Sequence, residues 1–157
     1  MHGYSSLLIS RQRFGAALTV LNDAIPRVRK RFGDAGVQNL LWRAGYAHAK
    51  LGRVAEMNAS FIDAFATCIE LEESRRPSGS PQVAALSLSL ANSVQSAGAT
   101  VPLDEIYSNW DCLSLGMQHA VAGGLLQYAE ALAIVDDPAA GDAIILFLAG
   151  HAPRSEH

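Results

Sequence analysis

The chain is poor in the residues and runs that mark disulfide-rich or membrane-spanning proteins. Its 157 residues include only two cysteines, Cys68 and Cys112, too few for a disulfide framework and not at metal-ligand spacing. Both lie in apolar helical patterns, so we expect small core residues in a reducing, cytoplasmic setting. The longest apolar run, Ala143 to Ala149, is far too short to cross a bilayer. We therefore expect no membrane partner.

Charged residues are scarce and unevenly distributed. They make up 17% of the chain, whereas half of all residues are apolar, which excludes an intrinsically disordered protein. Residues 1–53 hold nine Arg or Lys against two Asp, a net charge of +7, and residues 54–157 carry a net of -10. Such asymmetry can steer partners or neighbouring subunits.

Signatures of catalysis, metal binding and phosphate binding are also missing. No two of the five histidines share an HExxH pattern, and no glycine-rich loop is followed by Lys-Ser/Thr. His48 is interpreted as a packing residue, and Asp136-Asp137-Pro138 indicates a helix cap. We expect no catalytic residue, no metal site and no cofactor. A small helical enzyme is kept as an alternative.

The spacing of apolar residues predicts an all-α protein. Examples are Leu18, Leu21 and Ile25, and Phe61, Phe65 and Ile69, all at helical intervals. Glycine- and proline-containing breaks separate the helices. The predicted helices cover residues 4–12, 15–32, 37–51, 53–74, 82–97, 103–117, 119–134 and 139–150.

Helices recur as pairs at an interval of about 40 residues. When residues 11–25 are aligned with residues 51–65, Arg13 falls on Arg53, and Leu21 falls on Phe61. A third copy begins near residue 80 and gives Gly98 the role of Gly52. The repeats are predicted over residues 1–32, 37–74, 81–117 and 119–150 of a single domain, 1–157.

The stretch 40–64 resembles a tetratricopeptide repeat, and the longer period is similar to that of the kinesin light chains. The matching positions, in the order of that pattern, are Leu41 in the tryptophan slot with Trp42 one residue late, then Gly45, His48, Met57, Phe61 and Ala64. The repeat proline is missing. The resemblance implies a right-handed stack of about seven to eight helices, an α-solenoid, in which Phe61 packs over Gly45 and the chain turns at Gly52.

In that family the first helix of each pair lines a concave groove that binds a peptide or a partner helix. The resemblance places these groove residues on the second and third repeats: Asn39, Trp42, Tyr46, Ala49, Lys50, Leu88, Asn92 and Gln95. Trp42 has an alternative interpretation, burial against the first repeat. A separate basic patch comprises Arg27, Arg29, Lys30 and Arg31, which either cap a helix C-terminus in solvent or contact an acidic partner.

The expected function is therefore that of a protein-interaction scaffold or adaptor. The alternative is a regulatory or sensor module of a larger signalling or transcription-regulatory protein. The last helix is very apolar for the terminal cap of a helical stack, and this is expected if the chain is a fragment of that larger protein. The isoelectric point near 5.9 argues against nucleic acid as the partner. The apolar residues of "AIILFLAGH" predict a homodimer through the last helix.

Overall fold

The computed structural model describes residues 2–33, 36–75, 81–96 and 98–151, and every regular element in these ranges is helical. The prediction of an all-α protein is confirmed. The elements are α1 (His2–Ser10), α2 (Phe14–Phe32), α3 (Val37–Lys50), α4 (Val54–Arg75), α5 (Pro81–Val94), α6 (Leu103–Ser108), a 3-10 turn (Trp110–Cys112), α7 (Leu115–Ile134) and α8 (Pro138–His151). No helix in these ranges combines the length and apolarity needed to cross a membrane.

Three of the helix hairpins are closed by the same kind of turn. Gln12, Gly52 and Asp136 follow α1, α3 and α7 with φ of 59°, 73° and 67°. In each turn the next residue donates its N–H to the carbonyl five residues earlier, at 2.8, 2.9 and 2.8 Å. This pairing of a left-handed residue with a six-to-one hydrogen bond is the Schellman motif, which satisfies the last carbonyls of a helix. The chain can then start the next helix two residues later.

The α1–α2 and α3–α4 hairpins have equivalent turns 40 residues apart, which matches the sequence alignment. Helices α2 and α4 begin at Phe14 and Val54, again 40 residues apart. The aligned residues Leu21 and Phe61 are both fully buried. These two hairpins thus share the position of the turn, the start of the second helix and one buried residue at the 40-residue interval.

Gly45 allows α3 and α4 to approach closely. A β-carbon built at Gly45 would lie 2.5 Å from Cε2 of Phe61, closer than real atoms come. The predicted packing of Phe61 over Gly45, and the turn at Gly52, are therefore confirmed. The helical cost of glycine is offset by this contact.

Helix α7 packs on both α3 and α4 and completes the core. A β-carbon at Gly124 would lie 2.5 Å from Cζ2 of Trp42, so the absence of a side chain there lets the indole reach α7. The ring of Trp42 also lies 4.7 Å from Phe65, and Phe61 lies 4.9 Å from Tyr128, measured between centroids. Helix α7 is continuous through Gly123 and Gly124, as the predicted helix over residues 119–134 requires.

The segment between α5 and α7 differs from the predicted helix over 103–117. Helix α6 ends at Ser108, a 3-10 turn follows, and Leu113 is extended. The Asn109 side chain donates to the carbonyl of Glu105 at 2.7 Å, and the Ser108 hydroxyl donates to that of Asp104. Such side chains compete with the backbone for helical hydrogen bonds.

A second difference in this region concerns Gly98. It has the predicted positive φ, 74°, but it lies beyond the end of α5, and the next helix begins only at Leu103. It therefore does not close a hairpin as Gly52 does. Since α7 also returns to α3 and α4, the packing order gives no confirmation of a regular solenoid.

Candidate functional site

The predicted groove residues of α3 divide between core and surface. Trp42 is 4% exposed and Ala49 is 2% exposed. Neither can present its side chain to a partner, which corrects their assignment to an exposed groove face. Trp42 is covered because α7 packs over it. Tyr46 is half-buried, with its ring 6.1 Å from that of Phe14.

The remaining groove residues are at the surface. Asn39 and Lys50 are exposed on α3, and the Lys50 ammonium lies 5.6 Å from the Tyr46 ring centroid. Leu88, Asn92 and Gln95 are all exposed at or just beyond α5, at spacings that place them on one helical face. Helices α3 and α5 both pack on α4, so the two sets flank that helix. That these residues bind a partner stays a prediction.

The basic patch does not act as one unit. Arg27 pairs with Asp23 at 3.4 Å on the exposed side of α2, and Lys30 and Arg31 are exposed. Arg29 instead turns toward α4. Its guanidinium donates to Oδ1 of Asp63 at 3.3 Å and is 3.4 Å from the hydroxyl of Thr67.

Arg29 thereby becomes part of an open cleft of about 300 Å³ between α2, α4 and α5. The cleft joins one residue of the predicted basic patch to one of the predicted groove. Its lining residues are Arg29, Asp63, Ala66, Thr67, Glu70, Ala91, Val94 and Gln95. A guanidinium, two carboxylates and an amide thus border a small apolar surface, which suits an amphipathic segment with hydrogen-bonding groups.

A second cavity, of about 400 Å³, lies between α4, the segment after α5, and the α7–α8 hairpin. The Tyr128 hydroxyl donates to Oδ1 of Asn58 at 2.5 Å inside it, and both residues are buried. The pKa of Tyr128 is raised to about 12, with burial as the largest cause. A backbone hydrogen bond with Val101 lowers it, and the nearby charge of Asp137 raises it. Tyr128 is therefore a neutral phenol at physiological pH.

Histidine and cysteine chemistry is not concentrated at either site. The imidazole of His48 is half-buried, and burial lowers its pKa. Burial raises the pKa of the Cys68 thiol to about 12, which disfavours the reactive thiolate. Among the residues described, no group of three or more His, Cys, Asp or Glu is arranged to hold a metal ion. The side chains of His2 and His157 lie outside the described part.

Two buried polar contacts were missed from the sequence. Glu72 is 2% exposed, and its carboxylate accepts the backbone N–H of Ser114 at 2.7 Å, just before α7. The Ser114 hydroxyl in turn accepts the N–H of Met117 and caps that helix. Glu72 continues the apolar stripe of α4 and could have been noticed as a carboxylate at a core position. The second contact is that of Asn58 with Tyr128. Asn58 lies beside the same stripe, so it too could have been noticed as a polar residue at a core position.

No family model matches the chain, and no curated protein or solved structure shows significant similarity to it.

Proposed function

We propose that the protein is a non-catalytic binding module that holds a peptide segment of another protein along α5 and in the cleft beside it. The proposal keeps the interaction role suggested by the tetratricopeptide-like stretch. It moves the centre of the site from α3, where Trp42 and Ala49 are buried, to α5 and its neighbours.

The observation that carries the proposal is the exposed apolar rim beside a polar cleft. Leu88 is 65% exposed and Val94 42% exposed. Leu88 lies one helical turn before Ala91 and Asn92, and Ala91 lines the cleft. A peptide with an apolar side chain on Leu88 can therefore extend directly into the cleft. Interfaces of this kind combine a desolvated apolar centre with a hydrogen-bonding border.

The polar border of the cleft supplies selectivity. Arg29 is held between Asp63 and Thr67, so its guanidinium is oriented before a partner arrives. A carboxylate or backbone carbonyl of a peptide can bind to a guanidinium, and Gln95 offers both a donor and an acceptor. Orientation in advance reduces the entropy lost on binding.

Selection from a random dodecapeptide library displayed on phage tests this proposal. Peptides enriched on the wild-type protein should bind much more weakly to a Leu88→Glu variant. Leu7→Glu is the matched control, because Leu7 is 44% exposed but lies on α1. Equal loss of binding in both variants, or no enrichment in repeated selections, would refute the proposed site.

A further inference from the structure

The cavity around Tyr128 has the composition of a small-molecule site. Its volume of about 400 Å³ lies within the roughly 300–1,000 Å³ typical of ligand pockets. Most of its lining is apolar, and the polar groups are few. The lining residues are Val54, Asn58, Thr100, Val101, Leu103, Tyr128, Leu132, Val135, Asp137 and Ala140.

The polar groups of the cavity are organised around a buried pair. The Tyr128 hydroxyl and the Asn58 amide hold each other at 2.5 Å, although each is more than nine-tenths buried. Asp137 brings a carboxylate to the same lining from the turn between α7 and α8. An apolar enclosure thus has a fixed polar end and an acidic group.

The surroundings of the cavity extend its negative charge. An adjoining shallow pocket shares Thr100, Val101 and Leu103 with it and adds Asp104 and Glu105. The chain from residue 54 onward has a net charge of -10. Acidic side chains around a partly enclosed cavity raise the local concentration of ligands of the opposite sign.

We infer that this cavity binds a small organic ammonium compound, with its apolar body among Val101, Leu103 and Leu132 and its ammonium group near Asp137. A cation gains from the carboxylate and from the acidic surroundings, whereas an organic anion is repelled by both. The inference is independent of the proposed peptide cleft, which is lined by other residues.

Calorimetric titration with three matched probes tests the inference: 2-phenylethylamine, 2-phenylethanol and 3-phenylpropanoate. They share an aromatic body and differ in charge. We expect saturable binding in the order amine, alcohol, carboxylate, with the amine favoured over the alcohol by roughly threefold to fivefold, the size expected of one partly exposed charge pair. Equal affinities for the three probes, or no saturable binding of the amine, would overturn the inference.

Two neighbouring aspartates provide a matched pair of variants. Asp137→Asn removes the charge but keeps a good helix cap, and it should remove most of the preference for the amine. Asp136→Asn removes a charge one residue away, outside the cavity lining, and Asn tolerates the positive φ found there. The preference should survive in Asp136→Asn. The inference is wrong if both variants, or neither, lose the preference.

A third variant tests whether the probes enter the cavity. Ala140→Leu adds volume to its lining, and the affinity of all three probes should fall. Circular dichroism of each variant verifies that the helices are retained. Unchanged binding in a folded Ala140→Leu protein would show that the probes bind elsewhere and would overturn the inference.

Discussion

Two adjacent glycines on α7 have opposite environments. A β-carbon at Gly124 would press on the Trp42 ring, whereas a β-carbon at Gly123 meets no atom within 4 Å. The same dipeptide therefore contains one glycine that core packing requires and one that it does not. Sequence inspection treats them alike, because the difference depends on an indole contributed by α3.

This difference gives the first prediction at the residue scale. Gly124→Ala should lower the free energy of unfolding by about 1–3 kcal/mol, because the buried indole has to shift. Gly123→Ala should raise it by roughly 0.5–1 kcal/mol, since alanine loses less backbone entropy in a helix. Urea unfolding followed by circular dichroism measures both. Changes of the same sign in the two variants would contradict this packing of α7.

His48 gives a second prediction, on pH dependence. Burial, the largest cause, lowers its pKa. The charge of Glu56 raises it, the charge of Arg53 lowers it by less, and the pKa lies below the ordinary 6.5. As the pH falls below 6.5, the imidazole is protonated in the unfolded chain before it is protonated in the folded protein. The free energy of unfolding therefore decreases between pH 6.5 and the lower pKa of His48 in the folded state. Above pH 6.5 it contributes no pH dependence.

The measurement compares the wild type with His48→Phe, which retains an aromatic ring at that position. The free energy of unfolding of the wild type should fall more steeply from neutral to mildly acidic pH than that of the variant. The carboxylates titrate in both proteins, so the difference between the two curves isolates His48. Parallel curves would show that the imidazole does not titrate differently on folding.

At the scale of elements, three turns with one backbone geometry use three different residues. Gln12, Gly52 and Asp136 all adopt the left-handed conformation, but glycine is the residue that does so without steric cost. Helical hairpins in this protein are thus specified by backbone hydrogen bonding and packing, with glycine as an aid.

A substitution at Gly52 tests the cost of that conformation. Gly52→Ala should destabilise the protein by about 1–2 kcal/mol, because an L-residue is strained at φ of 73°. Gly52→Asn should cost less, since asparagine tolerates this region. No atom lies within 4 Å of a β-carbon there, so crowding does not complicate the comparison. Equal losses in thermal unfolding would rule out backbone strain as the cause.

Helices closed by local signals were predictable, and contacts between distant helices were not. The α3–α4 hairpin follows from Gly45, Gly52 and Phe61, which lie close together in sequence. The helix expected over residues 103–117 failed, because Ser108 and Asn109 bind nearby carbonyls and Glu72, from another helix, binds the residue preceding α7. No local periodicity carries that information.

The sequence prediction included two of the eight residues that line the cleft, and it did not give their arrangement. The sequence selected Arg29 and Gln95 separately, as members of a basic patch and a groove. It could not show that α2 and α5 bring them to one cleft on α4. Trp42 was assigned to the groove face because an indole on a helix looks the same in sequence whether α7 covers it or solvent does.

At the scale of the whole molecule, the α7–α8 hairpin carries three large apolar side chains that are exposed. Leu126, Ile145 and Leu146 are 53%, 52% and 74% exposed, while Ile144 and Leu148 face inward. Only part of the apolar run in α8 is therefore used by the core. Exposed apolar side chains grouped on one element are typical of an interface.

The final prediction is a homodimer through α8. Light scattering in low and high salt should give a mass above the 16.7 kDa of one chain. Leu146→Gln should weaken association. Leu88→Gln should not, because Leu88 is 65% exposed but lies on α5. A twofold dimer brings acidic halves together, so salt should strengthen it by screening repulsion. A head-to-tail contact between the basic first third and the acidic remainder should weaken in salt instead.

A monomer mass under both conditions would refute self-association, and equal effects of the two substitutions would exclude α8 as its surface.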